Sequence, residues 1–225
     1  MDPAVSVSVL TTKEEKQESR LLYHQVFAED PEAFLDYYYS DRAKDNKIAV
    51  KRISGRIVSM AHLNPVRMMV MGQEVKTYYI FAVATAAEER HKGHMRDVLE
   101  CAFGEMEAEN IPFCYLIPVD EAIYRPFGFE TICSFSGDAG LTEDALRSSY
   151  DIYIKETEDY CRRRMREAEI TAMYGEEGVP ENPVIMARVV SRRAFAAMSA
   201  LPEETAEQDM LHWLRERRIY ISEDV

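Results

Sequence analysis

The sequence predicts an α/β fold, in which hairpin-linked strands surround one apolar central strand and amphipathic helices precede and follow it. Three observations carry this. β-Rich runs joined by the turn signals Ser54-Gly55 and Met71-Gly72-Gln73-Glu74 fill the stretch from 48 to 85. Within it, Tyr78-Tyr79-Ile80-Phe81-Ala82-Val83-Ala84 is the most apolar run of the chain, as a strand covered on both faces requires. Apolar residues at helical spacing stand on either side, before residue 40 and after residue 93.

In order along the chain, the N-terminal stretch alternates through Val5, Val7 and Val9 and lacks the basic start and long apolar core of a signal peptide. A helix is expected from Thr12 to Phe27, with Thr12 and Glu15 spaced as a capping box and Leu21, Leu22, Val26 and Phe27 on its apolar face. Asp30-Pro31 opens a second helix carrying Phe34, Leu35, Tyr38 and Tyr39. Ile48–Ile53 and Arg56–Leu63 read as a hairpin, Val66–Val70 as a third strand and Val75–Thr85 as the central one. A long helix from Gly93 to Glu109 presents Met95, Val98, Leu99, Ala102, Phe103 and Met106, and Asn110 ends it. Pro112–Ile117 reads as a buried strand, Asp120–Arg125 as a helical turn and Glu130–Ser134 as a strand. Composition shifts at Ser136-Gly137-Asp138-Ala139-Gly140, so a domain of residues 1–140 and an extension of residues 141–225 are expected. The extension reads as helices over Thr142–Leu146 and Ile152–Tyr174, a loop over Gly175–Pro183, a strand over Val184–Val190, and helices over Arg192–Leu201 and Glu204–Arg215.

Composition narrows the function. The 27 Lys+Arg against 40 Asp+Glu give a net charge of −13, which argues against nucleic acid as partner and suits a cationic acceptor, although the same surplus also serves solubility. The run Arg162-Arg163-Arg164 is flanked by Glu156, Glu158, Asp159, Glu167 and Glu169, and reads as a salt-bridged helix face. No apolar run reaches the ~20 residues of a transmembrane helix, so no membrane partner is expected. Cys101, Cys114, Cys133 and Cys161 form no C-x-x-C pair and read as free thiols of a reducing, cytoplasmic compartment. The five histidines show no metal-ligand spacing, and no metal is expected.

One stretch has the makings of an anion site. The central strand ends at Ala84-Thr85, a short polar loop follows, and Gly93 opens the long helix. Helix N-termini carry unsatisfied N–H groups and partial positive charge, which favours phosphate. Arg90, Lys92 and the amides from His91 to Met95 are placed to surround a pyrophosphate. Neither G-x-x-x-x-G-K-[ST] nor G-x-G-x-x-G occurs, so the loop is not a Walker or dinucleotide site.

Val83-Ala84-Thr85 followed by Arg90-His91-Lys92-Gly93-His94-Met95 resembles the acyl-CoA signature of the GNAT superfamily of N-acetyltransferases, [QR]-x-x-G-x-[GA]. Arg90 and Gly93 match it, and Met95 departs at its last small position, as in the Eis-like subgroup. Ile123-Tyr124-Arg125-Pro126-Phe127-Gly128-Phe129 resembles that subgroup too. The resemblance implies the GNAT fold, a mixed and mostly antiparallel central sheet flanked by helices, here with a small α+β C-terminal extension. It implies acetyl-CoA as donor and a primary amine of a small molecule or peptide as acceptor, attacking directly in a ternary complex. Val83 and Thr85 would pair with the pantetheine arm, Arg90–Met95 would hold the pyrophosphate, and Tyr124 would give a proton to the departing thiolate.

The resemblance leaves the base open. Val75–Thr85 carries no carboxylate, and Glu88 and Glu89 read as solvent-exposed loop residues. The Eis-like subgroup uses its C-terminal carboxylate, which makes Val225 a catalytic candidate by resemblance. Asn182–Val190 resembles the start of that subgroup's sterol-carrier-like domain, shortened here. An apolar strand at 184–190 needs cover, and on that ground a homodimer is expected. A non-catalytic acyl-CoA sensor or interaction module is the alternative to an enzyme.

Overall fold

A computed structural model describes residues 4–137, 140–174 and 182–222. The elements run β1 (Val5–Leu10), α1 (Lys13–Gln17), α2 (Arg20–Val26), α3 (Glu32–Ser40), β2 (Lys47–Ile53), β3 (Arg56–Val70), β4 (Gln73–Thr85) and α4 (His94–Ala108). They continue through β5 (Phe113–Leu116), α5 (Glu121–Tyr124), β6 (Glu130–Ser134), α6 (Glu143–Ser149), β7 (Ile152–Ile154), α7 (Glu158–Tyr174), β8 (Val184–Val189), α8 (Arg192–Ser199), α9 (Glu207–Arg215) and β9 (Ile219–Tyr220). The strands pair in the order β1-β2-β3-β4-β5-β8-β6, with β7 beside β3 and β9 beside β7. The β4–β5 and β7–β9 ladders are parallel, whereas β1–β2, β2–β3, β3–β7, β5–β8 and β6–β8 are antiparallel. This is the mixed, mostly antiparallel sheet with flanking helices that the sequence predicts.

The chain divides into two units. The first comprises Met1–Asn64, Ile80–Glu105 and Arg162–Gly178. Its β2–β3 hairpin turns on Ser54 and Gly55 at φ 50° and 82°, the left-handed pair that a two-residue turn between right-twisted strands demands. Lys47 and Lys51 on β2 reach Glu105 and Asp97 of α4. Four strand residues span about 13 Å and eight helical residues about 12 Å, so the two ion pairs match and lay α4 antiparallel to β2. Tyr23, Tyr38, Tyr39, His62 and Phe81 form an aromatic cluster, with ring centroids 5.4 Å apart for Tyr38–His62 and Tyr38–Phe81. The expected helix from Thr12 to Phe27 is two helices. The capping box of Thr12 and Glu15 is present, but the chain bends at Ser19, whose hydroxyl donates to the Lys16 carbonyl at 2.8 Å and meets the Tyr39 hydroxyl at 2.9 Å.

The second unit comprises Pro65–Tyr79, Met106–Cys161 and Val179–Val225. Two further expectations are corrected here. The separate strand at 66–70 is the far end of β3, which runs on through Asn64-Pro65, because proline's fixed φ fits extended backbone and removes only one donor. The expected helix from Ile152 starts only at Glu158, and Ile152-Tyr153-Ile154 is a strand on β3, with Met69 opposite Tyr153. These β-branched and aromatic side chains bury as a strand what a helix would leave half exposed. The apolar strand of the extension needs no outside cover: β8 lies between β5 and β6, with Tyr115 opposite Ala187 and Thr131 opposite Met186. Its packing is continued by Phe113 against Phe195 and Phe195 against Trp213.

Candidate active site

Ala82 takes φ 46° inside β4, a left-handed conformation that alanine rarely adopts. Beyond it the direction of each backbone group follows from the ladder to β3. The Ala86 amide donates to the Val58 carbonyl at 2.9 Å. Backbone groups alternate along an antiparallel strand, so those of Ala84 and Ala86 face β3 and those of Val83 and Thr85 face away from it. Ser59 Oγ donates to the Ala84 carbonyl at 2.9 Å and meets Thr85 Oγ1 at 2.9 Å, which fixes this end of the strand.

The loop after β4 makes one 3-10 turn at Ala87–Glu89 and folds back, with Arg90 Nε donating to the Thr85 carbonyl at 3.3 Å. His91 and Gly93 are left-handed, at φ 63° and 83°. A Cβ on Gly93 would meet nothing within 4 Å, so glycine serves here for its φ and the space above it is open. α4 begins at His94. The Arg96 and Asp97 amides close on the Gly93 carbonyl at 3.1 and 3.3 Å, and the amides of His94 and Met95 have no acceptor within the helix. Arg90, His91, Lys92 and Gly93 are exposed.

Glu89 corrects the expectation of an exposed residue. It is half-buried, and its Oε2 accepts from Lys92 Nζ at 3.0 Å and His94 Nε2 at 3.1 Å. Those hydrogen bonds, Lys92 first, hold its carboxyl below the usual range. The His94 ring is buried at 8% exposure, and its Nδ1 has no hydrogen-bond partner among the described residues. Glu88 pairs with Arg56 at the surface.

Tyr124, in the second unit, ends α5, which Asp120 caps by accepting from the Ala122 amide at 2.9 Å. Its ring lies edge-on to Phe129, centroids 6.0 Å apart, and burial pushes its hydroxyl up to about 12. The turn Arg125–Phe127 closes on Gly128 at φ 79°. The Arg188 guanidinium of β8 donates to the Phe127 carbonyl and lies close to where a Gly128 Cβ would be; its flexible end can move aside, so this position needs glycine for its φ. Val225 lies outside the described residues.

The sequence singles out the loop and Tyr124 as candidates but gives no sign of Ala82, the Glu89–His94 contact, Arg188 and His62. An alanine at positive φ has no sequence signal. Glu89 and His94 are five residues apart across a turn, a spacing that pairs side chains only in this loop geometry. His62 is fully buried on β3, with Tyr38 Oη 2.9 Å from its Nδ1. Burial holds its ring neutral, with the pKa lowered to about 3. Among the described residues no group of His, Cys, Asp and Glu is placed to hold a metal, and no helix is long and apolar enough to cross a membrane.

A family model described as an acetyltransferase (GNAT) domain matches residues 9–132, more than half of the chain, and so takes in β4, the loop and Tyr124. No curated protein matches. Solved structures share the fold. A GCN5-related N-acetyltransferase from Anabaena variabilis is 13% identical, with 86% of this chain and 75% of that one covered at a TM-score of 0.60. Eis1 from Mycobacterium abscessus is 12% identical over 75% of this chain and 49% of that one, at 0.56. A probable N-acyltransferase from Enterococcus faecalis is 20% identical over 58% of this chain, at 0.55, and the match spans only 33% of its length.

Proposed function

The chain belongs to the GNAT acetyltransferase family, and from that premise we propose that it transfers the acetyl group of acetyl-CoA to a primary amine of a small molecule or peptide. One arrangement carries the reading: β4 turns the backbone groups of Val83 and Thr85 away from β3, and the same segment leads into exposed Arg90 and Lys92 and the unsatisfied amides that open α4. An extended amide chain ending in a pyrophosphate fits that order of donors and acceptors, amide-pairing strand first and anion site second.

The chemistry asked of the residues is limited. The neutral amine attacks the thioester carbonyl, the C–N bond forms, the C–S bond breaks, and the amine proton leaves to a base. Tyr124 donates its hydroxyl proton to the departing thiolate and is reprotonated from solvent. Its raised pKa keeps that proton in place across the neutral range, so the donor form is the populated one. The acidic surplus of the chain favours a cationic acceptor approaching from solution. Met95 in the loop and the stretch Ile123–Phe129 support placing the chain in the Eis-like subgroup. Four free cysteines suit a reducing, cytoplasmic setting.

Calorimetric titration with acetyl-CoA, paired with a thiol-release assay on a panel of primary amines, tests the reading. The double variant Arg90→Ala, Lys92→Ala should weaken acetyl-CoA binding at least about tenfold, the loss of charge-assisted contacts. Tyr124→Phe should lower kcat about 100-fold while leaving that affinity unchanged. Normal binding by the double variant would remove the pyrophosphate assignment. Tight binding with no thiol released from any amine would replace the enzyme by a non-catalytic acyl-CoA sensor.

A further inference from the structure

We propose that the outer edge of β1 is an interaction surface for a second copy of this chain, the two β1 strands pairing antiparallel about a two-fold axis at Val7. Among the described residues β1 pairs on one side only, with β2, in the register Val5↔Ile53 to Leu10↔Ile48. The Ser54 amide donates to the Ala4 carbonyl at 2.9 Å, which makes Ala4 and Ser54 a hydrogen-bonded pair. By the alternation of an antiparallel ladder, Ser6, Ser8 and Leu10 spend their backbone groups on β2, and Val5, Val7 and Val9 point theirs to the free edge.

The composition of this edge selects the partner. Edge strands are ordinarily protected by charge, proline or a bulge. Charged residues make up 30% of the chain, yet Val5-Ser6-Val7-Ser8-Val9-Leu10 contains none, and no proline. Val5 and Val7 are 56% and 39% exposed, unusual for apolar residues standing in a regular strand. The strand is complementary to itself. Centred on Val7, antiparallel pairing sets Val5 opposite the second copy's Val9, Ser6 opposite Ser8 and Val7 opposite Val7. Every outward N–H and C=O of the three valines is then used, about six hydrogen bonds, and shifting the centre by one residue either way lowers that number. Like meets like in size and polarity, and no charges of one sign are opposed, which a net charge of −13 makes hard to achieve elsewhere on the surface.

Val7 is the residue to change, because its amide faces outward and bonds nothing in β2. Val7→Pro removes that donor at an edge position where proline is tolerated, and Val7→Lys sets two ammonium groups against each other across the axis. Sedimentation at ~100 µM protein should show a dimer for the unchanged chain, as an interface with Kd about 10 µM gives, and monomers for both variants, with thermal midpoints equal to that of the unchanged chain once all are diluted well below that Kd. Hydrogen exchange adds a reading that needs no variant. The amides of Val5, Val7 and Val9 should exchange more slowly as concentration rises, while those of Ser6 and Ser8 stay constant. A monomer at every concentration, or a dimer that survives Val7→Lys with concentration-independent exchange at these valines, would overturn the proposal.

Discussion

Glu89 Oε2 stands 3.1 Å from His94 Nε2 across the loop that joins β4 to α4, and the same oxygen takes the Lys92 ammonium at 3.0 Å. A carboxylate in a loop read as an anion site needs a reason. Here it fixes the His94 ring and the Lys92 head, the two side chains that flank left-handed Gly93, and so holds the amides of His91 to Met95 in one arrangement. Glu89→Gln keeps the shape and loses the charge-assisted pair. KM for acetyl-CoA should rise about threefold to tenfold with kcat little changed, as expected when uniform binding is lost. A fall in KM would mean that the carboxylate opposes the ligand instead of ordering its site.

The run Arg162-Arg163-Arg164 looks alike in sequence, but its members are set apart in the fold. Arg163 is buried, with Nη2 at 3.0 Å from Asp45 Oδ1, whereas Arg162 reaches Asp41 from an exposed position. These two partners come from the segment after α3, and within α7 the Glu167 carboxylate also feels Arg163 and Arg164, so long-range pairs add to the pairing expected within the helix. Arg163→Ala removes a buried side chain but leaves Asp45 solvated, so it should cost about 1–2 kcal/mol in urea unfolding, and Arg162→Ala under about 1 kcal/mol. Equal losses would mean that the run acts as one solvated charged face.

Legibility in the sequence followed locality. Turns whose chemistry is local were readable: Ser54-Gly55 and Met71-Gly72 are both left-handed pairs, and Thr12 with Glu15 closes the expected capping box. The loop between β4 and α4 stood out as a candidate anion site because a strand end, a glycine and a helix start are neighbours in the chain. What stayed hidden depends on distant partners. Ile152-Tyr153-Ile154 has an apolar pattern that suits a helix turn as well as a strand, and Met68, Met69 and Val70 on one side with Ile219 and Tyr220 on the other decide the matter. The apolar character of Val184–Val189 signalled burial, but not that β5 and β6 flank it on both sides. His62 carries no motif at all, and its setting is made by Tyr38 and Asn46 from two other places in the chain together with Asn64 of its own strand.

That setting makes His62 an acid-sensitive point of the fold. The ring is fully buried. Tyr38 Oη lies 2.9 Å from its Nδ1 and donates to Asn64 Oδ1 at 3.0 Å. The nearby charge that bears on it, the Lys16 ammonium, opposes protonation as burial does, and together they lower the ring to about 3. An unfolded histidine takes up its proton near ~6.5. The neutral ring therefore favours the folded state in full above that value, and its contribution falls as the pH drops from there towards 3, with a slope of up to ~1.4 kcal/mol per pH unit. Urea unfolding at pH 7, 6 and 5 should show this loss in the unchanged chain, and His62→Gln, which can still meet Tyr38 Oη, should remove it. Subtracting the two profiles cancels the carboxylates and the four other histidines. Parallel profiles would show that the folded chain protonates His62 as readily as the unfolded one, and that the polar cluster around Tyr38 admits charge.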